Sequence, residues 1–327
     1  MTSTETKKSY ESLEITSVPK AIEVLDIIKD DKFSYNREIP QEFPFGIWFR
    51  GHSNSSYELI PTIFRKKADM FRKQSEDFFE ETNIFVHSTL RLPNYQKVYS
   101  STFDWLCLMQ HYETPTRILD WSESLLVALY FSVKGSVEKE KMGNSISDAE
   151  IVILNANTLN REIRGRDSIC SSDSFDVVIR SEMAKNRNLR VLSDLNNITQ
   201  AMQQEKLTSE DIITRFADLN LAKPVAVFPH RWNERMVFQS SVFTLHGGKI
   251  YNAQETIKDD EKIPRPITLE EINQASLDYQ KQPILKYYKI PKENKADIEK
   301  TLFRLGIHEG SLFPEMDHQS IYLKQQW

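Results

Sequence analysis

The side chains with the greatest chemical reach crowd into residues 103–133, FDWLCLMQHYETPTRILDWSESLLVALYFSV. This stretch holds two of the five tryptophans and one histidine, with Arg117 and Asp120 ahead of a nearly unbroken apolar run. Arg117 and Asp120 border that run, where removing one partner of a buried charge pair costs about 3–5 kcal/mol, so both are expected to be paired or bonded to backbone. His111, flanked by Gln110 and Tyr112, is either a base or a satisfied interior residue, and Ser122 either meets a ligand or caps a helix. Upstream, Arg50 and Gly51 close the short run 46–51. A glycine there lets the chain turn sharply or a ligand approach the backbone, which would project Arg50 into a cleft at the end of a strand. Downstream, Glu234 and Gln239 flank a third apolar run.

The elements that must position these groups follow from pattern. Residues 103–112 have helical spacing, ended by Glu113-Thr114-Pro115 because the residue before a proline avoids the α region. A short extended run, 116–119, follows. Asp120 with Glu123 has capping-box spacing and predicts a helix start, with the body at 125–133 enclosed because it is apolar on nearly every face. Further helices are expected from Val18-Pro19 (stripe Ala21, Leu25, Ile28), over 76–92, from Thr208, from Thr268 with Glu271, and over 294–305, stopped by Gly306. Strands are expected at 46–51, 151–154, 225–228, 236–239, 242–245 and 284–290, with a turn at His246-Gly247-Gly248 and an exposed loop at 134–149. Arginines of 161–190 alternate with acids and read as a solvated mixed face or a phosphate-binding surface.

A chain of 327 residues with 39% hydrophobic and 27% charged residues is an ordinary globular composition able to bury a large core. The net charge of -5 argues against broad nucleic-acid affinity while leaving room for a local basic groove. Two distant cysteines suit a reducing cytosol, and neither a secretory signal nor a membrane span is expected, so the chain is read as cytoplasmic. Walker, G-x-S-x-G, H-E-x-x-H and zinc-finger patterns are missing. Seven scattered histidines make a metal site improbable, and nine glycines leave little room for a dinucleotide loop of Rossmann type.

Trp48-Phe49-Arg50-Gly51-His52, Leu59-Ile60-Pro61 with Arg65, Gln110-His111-Tyr112, Pro115-Thr116-Arg117, Leu119-Asp120-Trp121 and Ala128-Leu129-Tyr130-Phe131 together resemble the bacterial and phage FRG-domain family. A third block, 235–239 with Phe243, is similar to that family's closing strand pair, with Ser241 where a glycine is usual. The resemblance covers roughly residues 45–250 and implies a fold relation, since the family carries no settled reaction.

The order of blocks also looks like that of ADP-ribosyltransferases of the arginine-serine-glutamate class. That likeness implies an α+β fold, a single domain with a split antiparallel or mixed sheet surrounded by helices. The chain divides into an N-terminal extension (1–40), the FRG-like core (41–250), and an insertion with a C-terminal strand and helix packed on the core (251–327). It further implies NAD as co-substrate and no metal. Glu234 would stabilise an oxocarbenium-like centre, Arg50 with Gly51 would hold phosphates or ribose, and Ser122 or Thr116 would orient the nicotinamide-side ribose. Tyr112 and Trp121 would wall the pocket, with Arg117 and Gln239 as further contacts and His111 as a polar group at its edge.

The resulting expectation is an NAD-consuming transferase or glycohydrolase, an effector of phage–host conflict acting on a protein, a nucleic acid or water, under an activating or inhibiting partner. Two alternatives stand beside it: a non-catalytic module in which Arg50, Arg117 and His111 hold a nucleotide or RNA end, and a metal-free nuclease using His111 and Asp120.

Overall fold

The computed structural model describes residues 8–30, 33, 46–65, 102–164, 168–172, 223–246, 267–279 and 281–326. The helices expected over 76–92 and from Thr208, most of the arginine-rich segment, and the turn at 247–248 lie outside the described residues.

The described chain is a mixed α+β fold built on one seven-stranded sheet, ordered β4-β5-β6-β2-β1-β3-β7. The strands are β1 (Ile47–His52), β2 (Ile118–Ser122), β3 (Ala149–Asn155), β4 (Cys170–Ser171), β5 (Val225–Phe228), β6 (Ser241–Leu245) and β7 (Leu285–Ile290). All pairings are antiparallel except the edge pair β4–β5. Strand β3 is apolar almost throughout because the sheet is covered on both faces. Ile151 and Ile153 enter one core and Val152 and Leu154 the other, as a side-chain period of two requires.

One core lies under α1 (Val18–Asp30), α3 (Leu125–Val133) and α8 (Lys295–Arg304). The second lies under α2 (Thr102–His111), α5 (Ala156–Arg164) and α7 (Leu269–Asp278). As its composition demands, α3 is enclosed, with Leu125, Val127, Ala128, Leu129, Tyr130, Ser132 and Val133 all buried. Thr268 and Glu271 form the expected capping box of α7, and Gly306 adopts φ +80 past the end of α8. Strand β7 extends the same sheet, and Tyr10 of the N-terminal segment bridges to Tyr287 in it. No helix among the described residues is long and apolar enough to cross a membrane.

Three local expectations are corrected. Asp120 is a strand residue, not a helix cap: pairing with β6 carries β2 on through Asp120↔Phe243, Trp121↔Val242 and Ser122↔Ser241. The cap of α3 is therefore Ser124, which accepts from the Val127 amide at 3.4 Å. Residues expected as a strand at 236–239 form instead the short helix α6 (Glu234–Phe238), because Asn233 caps it through the Met236 amide at 2.8 Å. Of its apolar trio only Met236 is buried, so no strand-like alternation exists there. The loop at 134–149 contains α4 (Ser136–Lys141), and the tail folds into α9 (Glu309–Leu312) and α10 (Met316–Gln326). Helix α10 leaves Met316, Ile321 and Leu323 exposed, so it lacks the apolar stripe by which a sequence announces a helix.

Candidate functional site

Strands β1 and β2 register only at Phe49↔Ser122, and beyond that point they part. A cavity of about 900 Å³ opens there, within the size range of small-molecule sites. Its walls are the second half of β1, the following segment with Tyr57, Glu58, Thr62 and Arg65, the end of α2 with Gln110 and Glu113, and residues 120–122 of β2. Val127, Ala128 and Phe131 of α3, with Arg235, Gln239 and Ser241, complete it.

Arg50 spans the parting. Its Nη1 donates to the Asp120 carbonyl and its Nε to Nε2 of His52 at 3.0 Å, so a side chain occupies an acceptor that a ladder amide would otherwise satisfy. Burial is the main cause that lowers its pKa, to about 10, partly offset by Asp120 and reinforced by the Arg65 charge, and the guanidinium stays cationic at neutral pH. His52 in turn bonds Glu150 on β3 through Nδ1 at 2.8 Å, and the two are direct register partners. Burial pushes His52 down to about 4.

Gly51 has a different reason from the one expected. It lies within β1, and a Cβ there would stand 1.9 Å from the Ala128 carbonyl and 2.8 Å from the Ser132 amide. The glycine admits the backbone of α3 rather than a turn, although it also lines the cavity.

Helix α2 delivers its end to the opposite wall through a Schellman closure: the Glu113 amide bonds the Gln110 carbonyl at 3.1 Å and the Thr114 amide the Met109 carbonyl at 2.9 Å. Glu113 takes φ 57, a left-handed conformation that disfavours a side chain by on the order of 1 kcal/mol. Gln110 links two strand-proximal groups, accepting from Thr116 Oγ1 and donating to Asp120 Oδ2 at 2.6 Å. Across the cavity, Ser240 is the other non-glycine residue with positive φ among those described, at 47. The position flagged as departing from the resemblance, Ser241, is its neighbour in β6.

Of the residues singled out from sequence, Arg50, Gly51, Trp121, Ser122 and Gln239 line the cavity, whereas His111, Tyr112, Thr116, Arg117 and Glu234 do not. Trp121 is fixed by its Nε1 bond to Thr244 at 3.0 Å. The Ser122 hydroxyl is committed to structure, donating to the Gln239 carbonyl at 2.7 Å and accepting from the Ser124 amide at 3.0 Å. Gln239 donates to the Leu312 carbonyl at 3.1 Å. Arg117 is wholly buried, and its Nη1 donates to the His246 carbonyl at 3.3 Å, which meets the expectation of a backbone partner. Thr116 is likewise sealed, while Tyr112 is exposed.

His111 faces Glu315 at 3.7 Å and the rings of Tyr112 and Trp232, and burial, with Arg235 second, lowers its pKa. Glu234 is exposed in the first turn of α6. It does not face Arg50 and Ser122 across the cavity as the transferase layout requires.

Glu58, Glu113, Arg65 and Arg235 line the cavity with no catalytic or binding motif in the sequence that marks them, and the pair His52 and Glu150 beside Arg50 is equally unmarked. His52 was within reach, because i and i+2 on a strand share a face. Glu150 was not, since only the β1–β3 register brings it to His52.

No curated protein and no solved structure matches the chain. The family model of the FRG domain matches residues 46–141, which span β1, β2, α2, α3 and most of the cavity wall, and stop short of the block at 235–243. The chain thus carries a segment, residues 46–141, that matches the FRG domain, and the arginine of its Phe49-Arg50-Gly51 tripeptide is the residue that bridges the parted strands.

Proposed function

We propose that the cleft between β1 and β2 binds a phosphate-bearing nucleotide, with Arg50, Arg65 and Arg235 meeting the anionic groups. The observation that supports this reading is the lining itself: three arginine residues contribute to the wall of one cavity of about 900 Å³ in a chain of net charge -5. Guanidinium forks match phosphate oxygens in pairs. Glu58, Glu113 and Asp120 share the walls, so the complementary ligand carries hydrogen-bond donors, such as ribose hydroxyls or a base amino group, beside its negative charge. Arg235 lies over the Phe313 ring at 4.6 Å, which holds its guanidinium against the wall. Thermal melting in ADP, NAD and inorganic phosphate tests the reading. A shift with the nucleotides that is weakened by Arg65→Ala supports it; unchanged melting in all three removes it.

A second reading retains the NAD-consuming transferase or glycohydrolase, and one observation favours it: the Asp120 carboxylate lines the cavity whose wall includes Arg50. The acid beneath the ribose is then Asp120, since Glu234 is exposed outside the cavity. Nicotinamide release from NAD, abolished in Asp120→Asn and kept in Glu234→Gln, separates this reading from binding alone. His111 and Asp120 do not share the cavity, which leaves the nuclease alternative without a paired acid and base. The setting in phage–host conflict rests on the family resemblance; its test is whether expression arrests growth of a bacterial host in an Arg50-dependent manner.

A further inference from the structure

From Arg50 a chain of largely shielded polar contacts runs through His52, which also touches the cavity, to Glu150 and on to the N-terminal segment. Glu150 is fully buried, and its Oε1 receives His52 Nδ1 at 2.8 Å and Lys8 Nζ at 2.6 Å, while Oε2 receives the Tyr10 hydroxyl at 2.7 Å. Lys8 spends its two remaining donors on the carbonyls of Ser55, at 2.8 Å, and Tyr57, at 2.6 Å. An ammonium has three donors and all are engaged, so Lys8 has none left for a ligand. Its carbonyl partners belong to the segment that continues from β1 along the cavity, where Ser56, Tyr57 and Glu58 form part of the wall.

The proton positions follow from valence. Arginine Nε carries a hydrogen and no free lone pair, so at 3.0 Å it can only donate, and His52 Nε2 must accept. The ring hydrogen then sits on Nδ1 and points at Glu150. The histidine is neutral, in a single tautomer, and fixes the plane of the Arg50 guanidinium, whose Nη1 is already held by the Asp120 carbonyl.

We infer that His52 and Glu150 are positioning residues that aim Arg50 into the cleft, and that Lys8 of the N-terminal segment completes the device by locking Glu150 and the cleft wall together. The inference rests on the reading of the cleft as a nucleotide site and names what sets its affinity. Arg50 is held at two points before any ligand arrives, so less of its side-chain entropy is lost on binding.

The test compares replacements that differ in one atom's reach, with ADP titrated calorimetrically into the full chain. In His52→Gln the amide oxygen extends to where Nε2 stands and still accepts from Arg50. In His52→Asn the shorter amide keeps a donor for Glu150 and leaves Arg50 without its acceptor. The expected result is wild-type affinity within about twofold for His52→Gln and a loss of about tenfold for His52→Asn, the equivalent of one charged hydrogen bond. Equal affinities for the two variants, whether both intact or both reduced, overturn the inference while leaving the cleft a nucleotide site. Absence of ADP binding by the wild-type chain instead removes the nucleotide reading on which it stands.

Should His52→Asn not fold, Lys8 supplies the decision from the periphery. Lys8→Met is expected to weaken ADP binding about fivefold and Lys8→Arg to restore most of it, as loss and return of one charged contact would. Unaltered affinity in Lys8→Met overturns the inference.

Discussion

Along its β3 edge, β1 pairs residue by residue from Ile47↔Asn155 to His52↔Glu150, whereas along its β2 edge only Phe49 finds a register partner, Ser122. On the first edge backbone amides and carbonyls satisfy one another, and β3 is buried over its whole length. On the second, the Asp120 carbonyl is met by the guanidinium of Arg50, and space opens between α2 and α3. A ladder excludes other molecules because each polar group already has a fixed neighbour. Where a side chain replaces the ladder, the carbonyl stays satisfied while the gap remains open to a ligand. The contrast also explains why α3 must sit so close at Gly51: the helix closes the sheet face at the point where the strands cease to close each other.

The contrast can be broken most violently at Gly51. Gly51→Ala places a Cβ 1.9 Å from the Ala128 carbonyl, so α3 must lift from β1, and a loss of about 3 kcal/mol or more is expected in denaturant midpoints.

Acid acts next, through histidines near Arg50 on both edges. Burial holds His52 at about 4; burial, then Arg50 and Arg117, holds His246 at about 3. Lys8, Arg50 and Glu150 face His52. Both folded values lie below the ordinary 6.5, so the unfolded chain takes up protons first. Stability is complete above about pH 6.5 and falls as pH drops toward 4, by up to about 1.4 kcal/mol per pH unit for each histidine. Urea midpoints measured from pH 7 to 4.5 check this, and a flat profile would show that neither ring is held neutral.

A finer probe is Arg50→Lys, which keeps the charge and loses the fork. A cost of about 2 kcal/mol is expected if the two-point hold across the gap matters, and almost none if charge alone does. The smallest effect is expected at Glu234→Gln, within about 0.5 kcal/mol in stability, because the residue is exposed on α6. A large change in ligand affinity there would return Glu234 to the site.

What could be read before folding divides along the same line. The apolar body of α3, the strands at 151–154 and 225–228 and the capping box at Thr268 are local in origin, since each is fixed by pattern or by residues three or four apart. The rest depended on register. Asp120 carries a good capping pattern with Glu123, but pairing with Phe243, more than a hundred residues away, holds it in a strand. Met236-Val237-Phe238 has strand composition, yet the Asn233 cap decides for helix. Arg117 and Arg50 are of one residue type near one another in the fold, and only the burial of the first against the His246 carbonyl separates a structural cation from one that meets the cleft.

Among the described residues, the region matched by the family model, 46–141, includes two of the seven strands, and those two share a single register point. The partner that holds β1 straight, β3, begins at Ala149, and the partner that holds β2, β6, at Ser241. The stretch that matches the family model is therefore smaller than the sheet that pairs its strands. An excised 46–141 fragment would leave the outer edges of β1 and β2, which β3 and β6 cover in the intact chain, unpaired, and is expected to aggregate rather than to present a miniature of the intact molecule.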